Sequence, residues 1–312
     1  MHRTLKSIIH LLGLVFVILA PSGLFAQRLI VLGTVQDAGS PHIGCAKACC
    51  KKLFKRPDPG RKVVSLGLID ETNKKVFLLE ATPDIAAQLE ALKVRAPFLT
   101  SGIPDGILLT HAHIGHYAGL MYLGREALGA RQAAVFAMPR MRAYLESNGP
   151  WSQLVDLGNI SLQNLEADQA FVLTPDLKVT PFLVPHRDEF SETVGFRISG
   201  RNKTAIFLPD IDKWEKWSTD ITTLLASVDY AFLDATFFDA AEIGYRDIRE
   251  IPHPLVIESM ELFKGLHPQE RAKIHFIHFN HTNPLLDPRS RASKKVRKMG
   301  FRVAGIYDEV AL

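Results

Sequence analysis

Short apolar runs alternate with amphipathic stretches along the chain, without an internal repeat or a low-complexity linker. The apolar runs have the length and residue types typical of strands, whereas the stretches between them carry apolar residues at helical spacing. Strands are predicted at 28–33, 63–70, 75–80, 105–110, 133–137, 178–184, 194–199, 203–208, 229–234, 273–279 and 301–307. Helices are predicted at 83–94 behind a Thr82 cap, 117–129, 139–147, 219–227, 254–264 and 290–299. This order indicates an α/β (α+β) protein with two packed sheets covered by helices.

The first 26 residues have the layout of a secretory signal peptide. Arg3 and Lys6 give a positive start, and an apolar core and a turn-prone exit follow. The apolar run is shorter than the roughly 20 residues that a membrane span needs. We predict cleavage near Ala26 and an exported, periplasmic protein with no stable membrane span and a single domain over 27–312. An uncleaved anchor is the alternative.

Composition places the chain among ordinary globular proteins. Its 312 residues, 47% of them hydrophobic, suit one large domain and exclude a disordered or fibrous protein. Lys and Arg number 37 and Asp and Glu 33, a net charge of only +4 at pH 7, so no nucleic-acid partner is predicted. Neither a P-loop nor a Gly-X-Ser-X-Gly turn occurs, which disfavours nucleotide hydrolysis by a P-loop and serine hydrolysis. The oligomeric state is left undetermined.

Three histidines follow the predicted strand at 105–110. His111 and His113 face the same side of an extended chain, and a helix start after them returns His116 to that side. Neutral imidazole is a good ligand for zinc or iron. A single strand histidine is usually a hydrogen-bonded core or surface residue, but packing alone does not explain three within six positions. The pattern predicts a metal-binding edge.

The segment His-X-His-X-Gly-His at 111–116 resembles the His-X-His-X-Asp-His signature of the metallo-β-lactamase superfamily. The resemblance is closest to its PQQ-biosynthesis protein B (PqqB)-like branch and covers most of the mature chain. It implies an αββα sandwich with ligands from loops at one edge of the sheets. Further motifs that carry it are Leu32-Gly33 before a Cys-rich loop at 45–50, Gly119-Leu120 with Arg125-Glu126, Asp234-Ala-Thr-Phe-Phe-Asp239, and His278-Phe-Asn-His281-Thr-Asn-Pro-Leu-Leu-Asp287.

Two positions depart from these relatives. Gly115 stands where the superfamily has the aspartate that binds a second metal, so one or two ions are both open. PqqB-like chains tend to lack the His-X-His pair, which this chain has. His281, where PqqB-like chains tend to carry Asn, is a candidate for a second site, in which it or a water would compensate for the missing carboxylate.

The resemblance implies further ligands at the ends of other strands. His186 matches the superfamily's second histidine motif, and its alternative is a loop histidine. Asp210 matches the metal aspartate and fits better than the nearby Asp212. Independently of the match, an acid just past a buried strand needs a partner or a metal, and the alternative role is a helix cap. Asp234 is predicted to hold the tautomer of a ligand histidine. His278 matches the terminal histidine, whereas strand alternation turns His275 to the other face and makes it structural.

A second cluster contains Cys45, Cys49 and Cys50 with His42 nearby. Tetrahedral zinc takes four nitrogen or sulfur ligands, which these residues can supply from one loop. A disulfide is the rival, although three cysteines leave one unpaired and adjacent cysteines rarely bridge. The favoured interpretation is structural zinc.

The residues of the predicted site indicate which reactions it could catalyse. Histidines with a single carboxylate leave a divalent metal positively charged with an open position, which lowers the pKa of bound water and makes hydroxide available as nucleophile. A metal-dependent hydrolase, with zinc as cofactor and a small-molecule ester, amide or phosphodiester as substrate, is therefore the first prediction, with Asp210 and Asp234 in catalytic roles. One alternative is an iron-dependent oxidase or hydroxylase of the PQQ-biosynthesis type. The other is a non-catalytic metal-binding protein.

Overall fold

The computed structural model describes residues 26–244 and 247–312. Its strands are β1 Gln27–Gly33, β2 Ser65–Asp70, β3 Lys75–Leu79, β4 Gly106–Leu108, β5 Ala133–Ala137, β6 Ile160–Asn164, β7 Phe171–Thr174, β8 Leu177–Leu183, β9 Val194–Ser199, β10 Thr204–Leu208, β11 Tyr230–Asp234, β12 Ile274–Ile277, β13 Arg302–Val303 and β14 Glu309–Ala311. Its helices are α1 Ala48–Lys55, α2 Ile85–Arg95, α3 Ile114–Tyr117, α4 Pro139–Ser147, α5 Trp151–Asp156, α6 Ile221–Ala226, α7 Ala240–Ile243, α8 Val256–Leu262, α9 Pro268–Arg271 and α10 Arg291–Lys298. Short 3-10 helices cover Ala118–Leu123, Trp214–Lys216, Ile248–Glu250 and Pro284–Leu286.

Within these described residues the strands form two mixed sheets of seven strands each. The first sheet has the order β14-β1-β2-β3-β4-β5-β6, and the second has the order β13-β12-β11-β10-β9-β8-β7. Parallel pairing joins β3, β4, β5 and β6 in the first sheet and β10 to β13 in the second, while the other pairs are antiparallel. The predicted two-sheet sandwich is confirmed.

The strands are apolar on both faces because each sheet is covered on both sides. In β1, Leu29 and Val31 face the other sheet and pack in the core between the two sheets. Ile30 and Leu32, which point the opposite way, join the layer formed with α2 and α4. A third cluster lies under α6, α8 and α10 on the outer face of the second sheet. Two helical layers therefore enclose two sheets, as an αββα sandwich requires.

Two predicted elements were wrong in extent. The helix expected at 117–129 is α3 followed by the 3-10 helix Ala118–Leu123. Gly119 explains the change, because its N–H bonds to Ala81 O at 2.8 Å and a Cβ there would lie 2.1 Å from Thr82 O. The strand expected at 301–307 is limited to β13, since the chain turns at Tyr307 with a φ of 69°.

Other predicted elements match the structure with small shifts at their ends. The helix predicted behind Thr82 begins at Ile85, and Thr82 accepts a hydrogen bond from the N–H of Asp84 at 3.1 Å. The prediction missed the half-buried edge strands β6, β7 and β14 and the short helices α1, α5, α7 and α9. The predicted leader lies almost wholly outside the described residues. Across 26–244 and 247–312, no helix is both long and apolar enough to cross a membrane.

Candidate metal centre

Polar side chains that follow β4, β8, β10, β11 and β12 converge at one edge of the sandwich. The carboxyl ends of parallel strands meet at the same edge of a sheet, and β10, β11 and β12 are parallel. The side chains predicted at these strand ends are brought together, and two that were not predicted join them. This set, hereafter the histidine–carboxylate centre, comprises Asp37, His111, His113, His116, His186, Asp210, Asp234, His253 and His278.

Asp210 lies in the middle of this centre and is 3% exposed. Among the described residues, five imidazoles approach its carboxylate oxygens within 3.7 Å. The nearest nitrogens are His116 Nε2 at 3.0 Å, His278 Nε2 at 3.4 Å, His253 Nδ1 at 3.4 Å, His111 Nε2 at 3.5 Å and His186 Nε2 at 3.7 Å. One carboxylate therefore contacts imidazoles supplied by both sheets.

Four residues form a first set of donors. One donor atom each from His111, His113, His186 and Asp210 lies within 4.8 Å of the others. Nitrogen and carboxylate donors of this kind suit zinc and iron. The set brings together the three loops that follow β4, β8 and β10, one from the first sheet and two from the second.

Neighbouring groups orient the histidines of this first set. Thr110 Oγ1 lies 2.8 Å from His111 Nδ1, which leaves His111 Nε2 facing Asp210. Glu189 Oε2 lies 3.4 Å from His113 Nε2, which leaves Nδ1 as the free ring nitrogen of His113. Partners of this kind fix the tautomer and the ring direction of a metal-binding histidine.

A second set contains Asp37, His116 and His278, whose donor atoms also lie within 4.8 Å of one another. His116 and His278 are fully buried. Glu80 Oε1 lies 3.5 Å from His116 Nδ1 and directs His116 Nε2 towards Asp210. Asp210 is close to His116 and His278 as well as to the first set, so it stands between the two.

Asp234, at the end of β11, orients two histidines of the centre, one of them through Thr236. The Thr236 hydroxyl donates to Asp234 Oδ1 at 2.7 Å and lies 2.9 Å from His278 Nδ1. This arrangement directs His278 Nε2 towards Asp210. His278 has a φ of 68°, a backbone conformation that surrounding contacts must maintain in a residue other than glycine. Asp234 Oδ2 also binds His253 Nδ1 at 2.8 Å, so this carboxylate orients two imidazoles.

The donor chemistry fits a metal ion. Buried side-chain nitrogens without hydrogen-bonding geometry to any described residue cost free energy unless a cation or water meets them. Such nitrogens gather here: His111 Nε2, His116 Nδ1 and Nε2, His186 Nδ1 and Nε2, and His278 Nε2. Imidazole lone pairs that converge on one buried carboxylate are the arrangement that a divalent cation stabilises.

The pKa values of the buried histidines shift in different directions because their charged neighbours differ. Burial lowers the pKa of His186 to about 4 and holds the pKa of His111 well below its usual value. Burial also lowers the pKa of His116, but the Glu80 and Asp210 carboxylates outweigh it and raise that pKa well above its usual value. For Asp210 the two effects have the opposite signs. Burial raises the pKa of this carboxyl group, but the surrounding histidines, led by His278, outweigh burial and hold the pKa well below the ordinary range.

Access to the centre is from the side of His113. The His113 side chain is 14% exposed, whereas those of His111 and His186 are each 1% exposed. The donors of the first set are thus most accessible to solvent at His113.

The three cysteines form a separate group near the histidine–carboxylate centre. His281 joins them in place of His42: the thiol group, as it is called below, comprises Cys45, Cys49, Cys50 and His281. His281 Nδ1 lies 3.3 Å from Cys50 Sγ and 3.6 Å from Cys49 Sγ. The His42 ring instead packs against the His281 ring, with centroids 4.6 Å apart and the planes tilted by 34°, and its Nδ1 lies 2.7 Å from Ile43 O. The geometry therefore favours His281 over the predicted His42 as the fourth donor, and puts His281 with the thiols and not with the second set, for which it was a candidate.

Sulfur spacing in the thiol group fits metal binding better than a disulfide. The three thiols are free, with Cys49 Sγ 4.0 Å from Cys45 Sγ and 3.9 Å from Cys50 Sγ. A tetrahedral zinc site with Zn–S bonds of about 2.3 Å has sulfurs roughly 3.8 Å apart. Burial raises the pKa of Cys50 to about 11, so a cation is needed to hold it as a thiolate near neutral pH.

Two residues of the histidine–carboxylate centre were missed in the sequence. His253 has no regular spacing to the other histidines and lies between Pro252 and Pro254. Asp37 follows β1 in a turn, far from the histidine motif. Gly115 is the sequence feature that points to a residue such as Asp37. A glycine stands there in place of the family's aspartate, so a carboxylate for a second metal would have to come from another segment. His275, predicted to be structural, packs on the Phe232 ring at 4.9 Å and takes no part in the centre.

A sandwich of two mixed sheets with a histidine–aspartate edge defines a metallo-β-lactamase-type protein. The chain belongs to the beta-lactamase superfamily domain family, which it matches over residues 75–279. It is 25% identical over 310 residues to the coenzyme PQQ synthesis protein B of Xanthomonas euvesicatoria pv. vesicatoria, covering 92% of this chain and 100% of that protein. The predicted resemblance to the PqqB-like branch is confirmed.

Two solved structures share the fold. The crystal structure of Zn2+-bound PqqB from Methylobacterium extorquens aligns with a TM-score of 0.74 at 22% identity, covering 91% of this chain and 100% of that one. A diphosphatase from the PhnP family aligns with a TM-score of 0.63 at 22% identity, covering 91% and 96%. At this identity the likeness describes the fold, and the chemistry must be argued from the residues of this chain.

Proposed function

We propose that this protein is a metal-dependent hydrolase that acts on an ester, amide or phosphodiester bond of a small molecule. The observation that carries the proposal is the buried Asp210 carboxylate, around which histidine nitrogens without other partners converge. Zinc is the proposed metal, in line with the nitrogen and carboxylate donors and with the zinc named for the PqqB structure.

The first set of donors, His111, His113, His186 and Asp210, would hold one metal ion. A divalent ion at this place supplies Lewis acidity, which polarises the bond to be cleaved and lowers the pKa of a water molecule that it binds. Four protein donors and an opening at His113 leave room for substrate on the exposed side. The neutral imidazoles favoured by burial at His111 and His186 are the form that binds a metal.

The chain's own residues prepare the site around this ion. Thr110 holds the ring direction of His111, so the donors need little reorganisation when metal and substrate bind. His253 is held through Nδ1 by Asp234, and its side chain is 11% exposed. This leaves His253 Nε2 as a hydrogen-bonding group for a polar atom of the substrate. Asp234 thus acts through His253, as a positioning residue.

The test is hydrolysis by the purified full chain with its metal in place. We expect turnover of at least one of bis(p-nitrophenyl) phosphate, p-nitrophenyl acetate and a p-nitroanilide, lost on chelation and restored by zinc. Asp210→Asn should abolish this turnover, whereas Asp58→Asn, which changes a half-exposed carboxylate paired with Arg61, should not.

Two outcomes would overturn the hydrolase proposal. A metal-loaded centre without turnover of any of the three substrates would favour a non-catalytic metal-binding protein. Iron at the centre together with substrate-dependent oxygen consumption would favour the oxidative alternative.

We also propose that the protein is exported. The support is the charged start, apolar core and turn-prone exit of residues 1–26. Residues 1–26 fused to alkaline phosphatase, an enzyme active only after export, should give activity in the periplasm. A Leu12→Arg change in the apolar core should abolish that activity, and equal activity in both fusions would contradict the proposal.

A further inference from the structure

We infer that Asp37 is the carboxylate ligand of a second metal ion, held together with His116 and His278 and next to Asp210. The inference rests on the metal centre of the proposed function and names a ligand in that same centre. Asp37 belongs to the turn that follows β1, far in sequence from the other donors. Its oxygen and the two imidazole nitrogens lie within 4.8 Å of one another.

The two histidines of this set present buried Nε2 atoms whose close contact in the described chain is the Asp210 carboxylate, without hydrogen-bonding geometry. His116 and His278 are fully buried, and the Nε2 atom of each has no hydrogen-bond partner there. Glu80 and Thr236 occupy the Nδ1 sides of these rings, at 3.5 Å and 2.9 Å. The Nε2 atoms are thereby directed to the same place, beside Asp210. Two buried imidazoles with an oriented free nitrogen each and a nearby carboxylate are a metal-binding set.

Gly115 supports the assignment by its lack of a side chain. A Cβ at position 115 would lie 2.1 Å from Asp37 Cβ, 2.5 Å from Asp37 Cα and 2.7 Å from Asp37 O. These distances are too short for any real contact, and two of the three atoms belong to the backbone, which cannot rotate away. A side chain at 115 and Asp37 in its present place therefore exclude each other. Asp37 fills the space in which a residue-115 carboxylate would begin.

The backbone holds Asp37 next to His278 directly. Gln36 donates its N–H to Phe279 O at 2.8 Å, and Phe279 donates to Thr34 O at 2.7 Å. Val35 also forms bridges to Phe279 in one direction and to Val63 in the other, so the segment is fixed to both sheets. The residue before Phe279 is His278 and the residue after Gln36 is Asp37. These hydrogen bonds therefore set the spacing of the two donors.

The experiment is a manganese titration of the full chain with zinc kept in the thiol group and the histidine–carboxylate centre stripped of metal, followed by elemental analysis after dialysis and by electron paramagnetic resonance. Manganese is chosen because carboxylate and imidazole donors suit it and thiols do not, so the thiol group stays out of the count. We expect two manganese ions per chain in the wild type, with a spin-coupled spectrum. Asp37→Asn should bind the second ion at least about tenfold more weakly and give the spectrum of isolated manganese.

Gly115→Ala makes the test specific. It removes no donor, yet it should also lose the second ion, because the added Cβ displaces Asp37. Asp58→Asn, a carboxylate of the same N-terminal segment paired with Arg61, is the matched control and should keep both ions. Retention of the first ion in each variant shows that the chain is folded.

Two results would overturn the inference. One is a single manganese ion in the wild type, and the other is an Asp37→Asn variant that keeps two ions with unchanged affinity. Either result leaves the proposed hydrolase standing with one ion at His111, His113 and His186. Failure of the proposed function would give other results. Either metal binding would be unaffected by the variants His111→Ala and His113→Ala, or a fully metal-loaded wild type would turn over no substrate.

Discussion

The histidine–carboxylate centre and the thiol group share two chain segments, yet their donors differ in kind and origin. His278 and His281 lie three residues apart, and the first belongs to the histidine–carboxylate centre while the second belongs to the thiol group. The N-terminal segment is divided in the same way, because it supplies Asp37 to the former and the three cysteines to the latter. Each group thus joins the loop after β1 to the loop after β12.

The difference between the groups matches two different tasks. The thiol group has four donors from two segments, and three of them are thiols, the kind of donor set found in closed structural zinc sites. The histidine–carboxylate centre gathers nitrogen and oxygen donors from six loops and opens beside His113. We infer that the thiol group fixes the loop on which Asp37 lies, while the centre performs the chemistry. Variants of each group test this division of roles.

The largest effect is expected for the double variant His111→Ala, His113→Ala. It removes two of four donors from the first set, so metal binding there and hydrolysis should both fall, the latter by about three orders of magnitude or more. Zinc in the thiol group should be retained, because none of its donors changes. Elemental analysis and kinetics on the same preparation check both statements. Equal zinc loss from both groups would show that they fold as one unit, and would contradict the inferred division between a structural and a chemical role.

Next in size is the effect of Cys50→Ala on stability. Cys50 is fully buried and lies 3.3 Å from His281, so its loss should release the metal of the thiol group and lower the free energy of unfolding by roughly 3 kcal/mol. For a chain of this size the Tm should fall by about 6 °C or more. The second ion at Asp37 should weaken more than the ion at His111. An unchanged Tm in a zinc-loaded calorimetric scan would argue against a structural metal.

A smaller effect is expected for Thr236→Val, which keeps the shape of the side chain and removes its hydroxyl. That hydroxyl joins Asp234 to His278, so the metal affinity of the second set should fall by about 10- to 100-fold. Isothermal titration with manganese measures the change. Thr222→Val, which alters a threonine next to an exposed helix cap, is the matched control and should have no effect on affinity.

The smallest effect concerns Asp70, a fully buried carboxylate satisfied by hydrogen bonds and not by imidazoles. Burial raises the pKa of Asp70, but hydrogen bonds from Thr174 and Asn73 outweigh it and hold the pKa below its usual value. A depressed pKa in the folded state gives stability that is present above about pH 4 and is lost as pH falls further. Asp70→Asn should therefore cost about 1.5 kcal/mol at pH 7.

The pH dependence provides the control for Asp70→Asn. The stability gap between wild type and variant, measured by urea unfolding, should narrow as pH falls below about 4. A gap that stays constant down to pH 3 would show that the carboxylate charge is not what stabilises this site. Metal content at pH 7 should be the same in both proteins, since Asp70 lies in the first sheet, outside both donor groups.

Local patterns in the sequence predicted most of the fold and much of the centre. His111 and His113 were selected because they follow a short apolar strand at close spacing. Asp210 and His278 follow two other strands and were selected through the resemblance to the metallo-β-lactamase superfamily. That the structure brings them together is a consequence of parallel strands ending at one edge. Their role as metal ligands remains a prediction.

The missed residues depend on contacts between distant segments. Asp37 reaches the centre only because Gln36 pairs with Phe279, a hydrogen bond across more than 240 positions that no periodicity reveals. The same pairing carries His281 to the cysteines, and the sequence offered no sign of this, so it favoured His42, the nearer histidine along the chain. His253 lies after the short helix α7 and the 3-10 helix Ile248–Glu250, in a stretch whose path the sequence pattern did not predict.

The most direct test of the account is anomalous X-ray diffraction at the zinc edge from crystals of the zinc-loaded full chain. We expect one peak among His111, His113 and His186, one between Asp37 and His278, and one in the thiol group. Absence of any peak at the histidine–carboxylate centre, with zinc present in the thiol group of the same crystal, would contradict it.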